Sequence, residues 1–211
     1  MSTKQKTLAF VGLGVMGYPM AGHLAEAGYK VKVFNRTASV AQKWIDEFGP
    51  SSDCSMHESP ELAAREADVV LICVGNDDDV RSVVYGDTGV LGGMNGGSVL
   101  VDHTTASQQL ALELADQCGA KEIGFLDAPV SGGQAGAESG ALTVMVGGAQ
   151  KDYQNVSPIL NAYAKKTELM GEVGCGQLTK MVNQICIAGI LEGLAEGCLL
   201  YTSDAADDRV S

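Results

Sequence analysis

Lys6–Asn35 reads KTLAFVGLGVMGYPMAGHLAEAGYKVKVFN, and the order of its parts decides the fold. Lys6–Val11 (KTLAFV) is a short, mostly apolar run closed by Gly12, the pattern of a buried strand. From Val15 to Ala27, Met16, Met20, Leu24 and Ala27 recur on one helical face, and Gly28 stands where a glycine commonly ends a helix. Lys30–Asn35 (KVKVFN) alternates as a second strand. Between first strand and helix, Gly12, Gly14 and Gly17 form GLGVMG. Glycine triplets occur in many turns, but strand, triplet, helix and second strand in this order specify dinucleotide binding. The first glycine permits a tight turn, the second lets backbone approach a pyrophosphate, and the third lets helix and strand pack closely. Gly12, Leu13, Gly14, Val15, Met16 and Gly17 are therefore the candidate phosphate cradle, at a helix N-terminus with free N–H groups.

The rhythm continues outward from this unit. Helices are expected over Ser39–Phe48, Glu61–Glu66, Asp77–Val84, Ser107–Cys118 and Lys151–Ala164, and strands over Asp68–Val74, Ser98–Asp102, Phe125–Val130 and Leu142–Val146. Apolar strands alternating with helices predict an α/β fold, a Rossmann-type doubly wound parallel sheet covered on both faces. After Gly171 the pattern changes: GCG (Gly174–Gly176) opens a long apolar helix, Gln177 to about Glu196, with no strand after it. This predicts a dinucleotide-binding domain over 1–173 and the first helix of an incomplete all-helical domain over 174–197. Cys198–Asp208 (CLLYTSDAADD) matches a sequencing-adapter end translated in one frame, so 198–211 is read as a non-native tail without function.

Composition narrows the function. The chain has 211 residues, 45% of them hydrophobic and 19% charged, enough to build a substantial core. A net charge of −12 argues against nucleic acid and anionic membranes as partners. Cys54, Cys73, Cys118, Cys175, Cys186 and Cys198 show no CxxC pair or metal spacing, which suits a reducing compartment, and no metal site is expected. The N-terminus does not read as a signal peptide, and no window reads as long enough to span a membrane, so a cytoplasmic location is expected.

The second strand ends at Asn35-Arg36-Thr37, where NAD sites usually place a carboxylate for the ribose. Here no carboxylate is present, and Arg36, flanked by Asn35 and Thr37, favours NADP over NAD. Further cofactor contacts are expected at strand ends, from Val74, Gly75 and Asn76 and from Thr105. Asp77, Asp78 and Asp79 suit a helix N-terminus better than a metal. His23, His57 and His103 carry no ligand spacing.

Three motifs in one order then carry a resemblance. GLGVMGYPMAGHL (Gly12–Leu24), DAPVSGG (Asp127–Gly133) and GCGQLTKMVNQ (Gly174–Gln184) are similar to the signature segments of the β-hydroxyacid (3-hydroxyisobutyrate-type) dehydrogenases, and the likeness covers nearly the whole chain up to Gly197. The resemblance implies an NAD(P)-dependent oxidoreductase moving hydride between nicotinamide and a small 3-hydroxy acid or its semialdehyde. It maps the proton donor or acceptor to Lys180. An ammonium there would stabilise and protonate a developing alkoxide, and partial burial would lower its pKa for the reverse reaction. The substrate carboxylate maps to Ser131, Gly132 and Gly133, whose N–H groups can form an anion nest. An amide one turn past the lysine points first to Gln184, with Asn183 beside it. Gly176 would allow close approach of substrate or nicotinamide, and the full-length parent is expected to be a homo-oligomer. The competing readings are a nucleotide-binding fragment without turnover and an imine reductase or 6-phosphogluconate dehydrogenase relative. Lys180 argues against the imine reductases, which generally lack it, and the visible cations are too few for a sugar phosphate.

Overall fold

The computed structural model describes residues 6–204; the first five residues and the expected tail beyond 204 lie outside the described residues. Strands β1 (Thr7–Val11), β2 (Lys30–Phe34), β3 (Cys54–Met56), β4 (Val69–Ile72), β5 (Val99–Asp102) and β6 (Gly124–Asp127) lie parallel in the order β3-β2-β1-β4-β5-β6. The order reverses between β1 and β4, the switch point at which open α/β sheets bind ligands. Helices α1 (Gly17–Glu26), α2 (Ala38–Phe48), α3 (Pro60–Ala64), α4 (Asp77–Val84), α5 (Val90–Gly93) and α6 (Gln108–Gly119) connect these strands.

Strand alternation divides the core into two layers. Leu8 and Phe10 of β1 face a cluster with Met20, Leu24 and Trp44, whereas Ala9 and Val11 face the opposite cluster with Val80, Leu110 and Leu114. Residues 69–72 and 99–102 are buried throughout because both faces of the central strands are covered. That double burial explains their unbroken apolar reading.

The C-terminal half departs from a purely parallel sheet. The run read as one strand over Phe125–Val130 divides at Pro129 into β6 and β7 (Val130–Ser131). A short return through α7 (Gly133–Glu138) then brings β8 (Leu142–Gly148) antiparallel to both. A six-residue helix is too short for a parallel crossover. The next helix, α8 (Gln150–Leu160), is a full crossover and returns β9 (Ala164–Gly171) parallel to β8. Ala164, read as the end of a helix, instead opens this strand. Its polar sequence AKKTELMG leaves Lys165, Lys166 and Glu168 exposed at the sheet edge, where charged side chains discourage unwanted pairing.

The last helix, α9, runs Cys175–Asp204, continuing past Glu196 and through the expected tail boundary at 198. Leu199, Leu200 and Tyr201 contain no helix stop, and they extend its apolar stretch. Cys175–Tyr201 contains an 18-residue window of mean hydropathy 1.4 and is consequently, by length and composition, long and apolar enough to cross a membrane, contrary to the sequence reading. Its beginning nevertheless belongs to the α/β layer, since Gly176, Gln177 and Lys180 are buried there.

Trp44 is fully buried and donates from Nε1 to the Tyr18 carbonyl at 3.1 Å, joining α2 to α1. Trp44→Ala is expected to cost about 3–5 kcal/mol in urea unfolding monitored by circular dichroism; a loss below about 1 kcal/mol would contradict this placement.

Candidate active site

The glycine turn is fixed from behind and open in front. Gly12 adopts φ +97°, and a Cβ there would strike the Cys73 carbonyl and approach the Val74 side chain to 2.9 Å. A Cβ on Gly17 would collide with the Gly12 carbonyl and stand 2.9 Å from the Phe10 ring. By contrast, a Cβ on Gly14 would meet nothing within 4 Å. Gly12 N–H donates to the Phe34 carbonyl and Leu13 N–H to Asn35 Oδ1, both at 2.9 Å. Asn35 Nδ2 donates in turn to the Thr37 carbonyl at 3.0 Å, so Asn35 braces the loop. The N–H groups of Gly14, Val15 and Met16 make no hydrogen bond among the described residues, and no side chain caps α1. Free donors, a helix dipole and bare backbone fit the diphosphate of a dinucleotide.

A cavity of about 470 Å³ lies over this turn. Its lining includes all six residues of Gly12–Gly17, with Asn35, Arg36, Thr37, Val74 and Gly75. Cys73 forms part of the lining, and burial pushes its thiol up to about 12, so it is an inert wall. Asn76 and Thr105 are outside the lining. The Asn76 side chain caps α4 by accepting from the N–H groups of Asp78 and Asp79, each at 3.0 Å, while Thr105 is exposed beyond β5. The lining also contains Asp79, which sequence spacing could not place opposite Arg36.

A chain of hydrogen bonds leads from this cavity to α9. Val74 N–H donates to Thr104 Oγ1 at 3.1 Å, and Gln177 Nε2 donates to the Thr104 carbonyl at 2.7 Å. Gln177 Oε1 accepts from Ala106 N–H at 3.1 Å. Beneath the helix, Asp127 Oδ1 accepts from Gly174 N–H at 2.7 Å and Oδ2 from Gln177 N–H at 2.8 Å. Burial raises the Asp127 carboxyl pKa, and these backbone donors pull it back. The first residue of the second motif thus caps the helix of the third. Gly176 allows that fit, because a Cβ there would stand 2.5 Å from the Met145 carbonyl and 2.6 Å from that of Asp127. Its small size therefore serves helix–sheet contact.

Lys180 follows Gln177 by three residues, on the same helical face. It is only 8% exposed, and its ammonium makes no hydrogen bond or ion pair among the described residues. Burial alone pushes its pKa below the ordinary lysine range. Asn183 is half-buried, and its Nδ2 lies 3.4 Å from Oε1 of the exposed Gln184. Ser131 ends β7, and Gly132 and Gly133 take φ +130° and +61°. The N–H groups of both glycines make no hydrogen bond among the described residues.

A phosphate-type glycine turn at the switch point of a doubly wound sheet defines a dinucleotide-binding α/β protein. Residues 7–172 match the family described as the NAD binding domain of 6-phosphogluconate dehydrogenase. An uncharacterized oxidoreductase of Shewanella frigidimarina is 56% identical over 200 residues, covering 95% of this chain and 67% of the relative. The probable 3-hydroxyisobutyrate dehydrogenase-like 1 protein of Arabidopsis thaliana is 42% identical, covering 95% of this chain and 58% of its own length. A solved Mycobacterium tuberculosis 3-hydroxyisobutyrate dehydrogenase, with L-serine, superposes with TM-score 0.88 at 30% identity, covering 97% of this chain and 67% of that one. The chain belongs to the 3-hydroxyisobutyrate dehydrogenase-like oxidoreductases, with an NAD-binding domain of the 6-phosphogluconate dehydrogenase type. It spans 58–67% of the length of these relatives.

Asp127→Asn is expected to weaken the α9 N-terminus, costing about 1–3 kcal/mol and speeding amide exchange at Gly174 and Gln177; unchanged exchange would contradict the capping role. Asp102, beside Asp127 in register, is pushed up to about 7 chiefly by burial, with Asp127 repulsion adding and the Thr104 donors opposing. Its folded pKa lies above the unfolded 3.8, so the folded state holds the proton more tightly. That contribution is complete below about pH 4 and lost as pH rises toward 7. Urea midpoints of Asp102→Asn should therefore decline less than those of the parent chain between pH 4 and 7. Parallel declines would refute this.

Proposed function

We propose that this chain forms the cofactor domain and the acid–base helix start of an NAD(P)-dependent dehydrogenase of small 3-hydroxy acids, with Lys180 as proton donor and acceptor. The carrying observation is Lys180, a largely buried side chain whose amine makes no hydrogen bond or ion pair among the described residues, one turn beyond a Gln177 tied to Thr104 and Ala106 after β5. An ammonium partly withdrawn from water and without a fixed counter-ion can stabilise the charge of a developing alkoxide. When bound, the nicotinamide supplies or accepts the hydride at the carbinol carbon. Lys180 gives its proton to the substrate oxygen in reduction and takes it back in oxidation. Ser131 and the free N–H groups of Gly132 and Gly133 would hold the carboxylate, and Asn183 or Gln184 would orient the substrate beside the amine.

Candidate substrates are 3-hydroxyisobutyrate, tartronate semialdehyde with its product glycerate, and, with one more carbon between carboxylate and carbonyl, succinic semialdehyde, whose product is a 4-hydroxy acid. L-serine, present with the mycobacterial relative, is itself a small 3-hydroxy carboxylate. Arg36 on the cavity rim supports NADP as preferred cofactor, with NAD as the alternative. From Met181 to Tyr201 every residue but Asn183 is exposed, and the exposed set includes Ile185, Ile190, Leu191 and Leu194. This apolar length suits the opening helix of a further helical domain and a subunit contact in a cytoplasmic oligomer. The same exposure favours a second reading, a nucleotide-binding unit that does not turn over by itself.

Lys180→Met is expected to lower turnover of the hydroxy-acid panel by about 10²–10⁴-fold while leaving nucleotide affinity intact. Since burial lowers the lysine pKa, oxidation should rise with pH through a value below 10.5, where the amine becomes neutral, and reduction should fall over the same range. Nucleotide binding without turnover in the parent chain would support the second reading. Full activity in the variant would end the lysine assignment.

A further inference from the structure

The run Asp77–Asp79 divides its tasks. Asp77 turns toward α6 and accepts from Ser107 N–H at 3.0 Å and from Ser107 Oγ at 2.5 Å. Asp78 is 97% exposed and lies 3.6 Å from Arg81. Asp79 turns into the cavity above the glycine turn and rests against Gly75, where a Cβ would strike its Oδ2. Arg36 reaches the same cavity from the opposite wall, placing Nη1 3.5 Å from Asp79 Oδ1. The carboxylate missing after β2 is therefore supplied across the cavity by α4.

We infer that Asp79 is a specificity-determining residue that opposes NADP and supports NAD, offsetting Arg36 from the other wall. The inference rests on the nucleotide-binding reading above. A ribose 2′-phosphate brings close to two negative charges; it must draw Arg36 away from Asp79 and then sit in the field of a carboxylate that is itself only one-third exposed. A 2′-hydroxyl is neutral and can donate to that carboxylate. Arg36 alone makes the cavity receptive to the phosphate, and Asp79 sets how far that preference extends.

The test is titration of the purified chain with NADPH and NADH, followed by nucleotide fluorescence. Asp79→Asn keeps the side-chain shape and removes the charge. It should tighten NADPH binding about five- to twentyfold, with NADH affinity unchanged or weakened. In an Arg36→Ala background the same substitution should still favour NADPH, by a smaller factor, because only the repulsion remains to be relieved. An NADPH-to-NADH affinity ratio unmoved by Asp79→Asn, or moved toward NADH, overturns the inference while leaving nucleotide binding in place. Failure of the parent chain to bind either nucleotide overturns both.

Discussion

The Asp127 carboxylate, buried at the end of β6 and accepting two N–H groups from the start of α9, is the interaction on which the site depends. Without it, those donors would face a buried strand end with no acceptor in place. With it, α9 begins at a fixed height above the sheet, and Gly176 lets the helix backbone seat against the carbonyls of Asp127 and Met145. Gln177 then links that start to Thr104, and Thr104 to Val74 beside the glycine turn. The second and third motifs, far apart in sequence, are joined by these polar contacts, and through Thr104 the chain of bonds reaches Val74, which packs beside the first. The position of Lys180 is set by this framework.

The same economy answers how an acidic chain holds an anion. Its net charge is −12, so general attraction works against a diphosphate. The open donors at Gly14, Val15 and Met16 and the uncapped α1 act over a few ångströms, where dipole direction matters more than total charge. Arg36 adds one cation, balanced by a carboxylate already in the cavity.

The glycine turn, its strand and its helix were legible because their constraints are local. Gly12 needs a left-handed backbone, Gly17 needs space against Phe10, and the sequence shows both requirements within one unit. Central strands were equally legible, since burial on both faces leaves an apolar run. The edge strand β9 was hidden, because its charged exterior removes that signature, and β8 ran antiparallel because its return segment is too short for a crossover. Asp127, Gln177 and Asp79 act through residues between 43 and 73 positions away, as the Arg36–Asp79 and Gln177–Thr104 pairs illustrate. Such contacts have no periodicity to read. Asp127 and Gln177 did stand inside the quoted motifs, but a motif marks a position without stating what its side chain holds.

Among the described residues α9 is buried chiefly at its beginning, and that has a mechanical result. The helix has 30 residues and is about 45 Å long, while Lys180 is about 8 Å from the Cys175 end. A tilt of about 5° around that fixed end would sweep the far end through about 4 Å yet shift the Lys180 backbone by less than about 1 Å. Whatever rides on the distal length can swing while the amine stays nearly still, so large excursions at one end of a rigid rod are compatible with a steady amine position at the other.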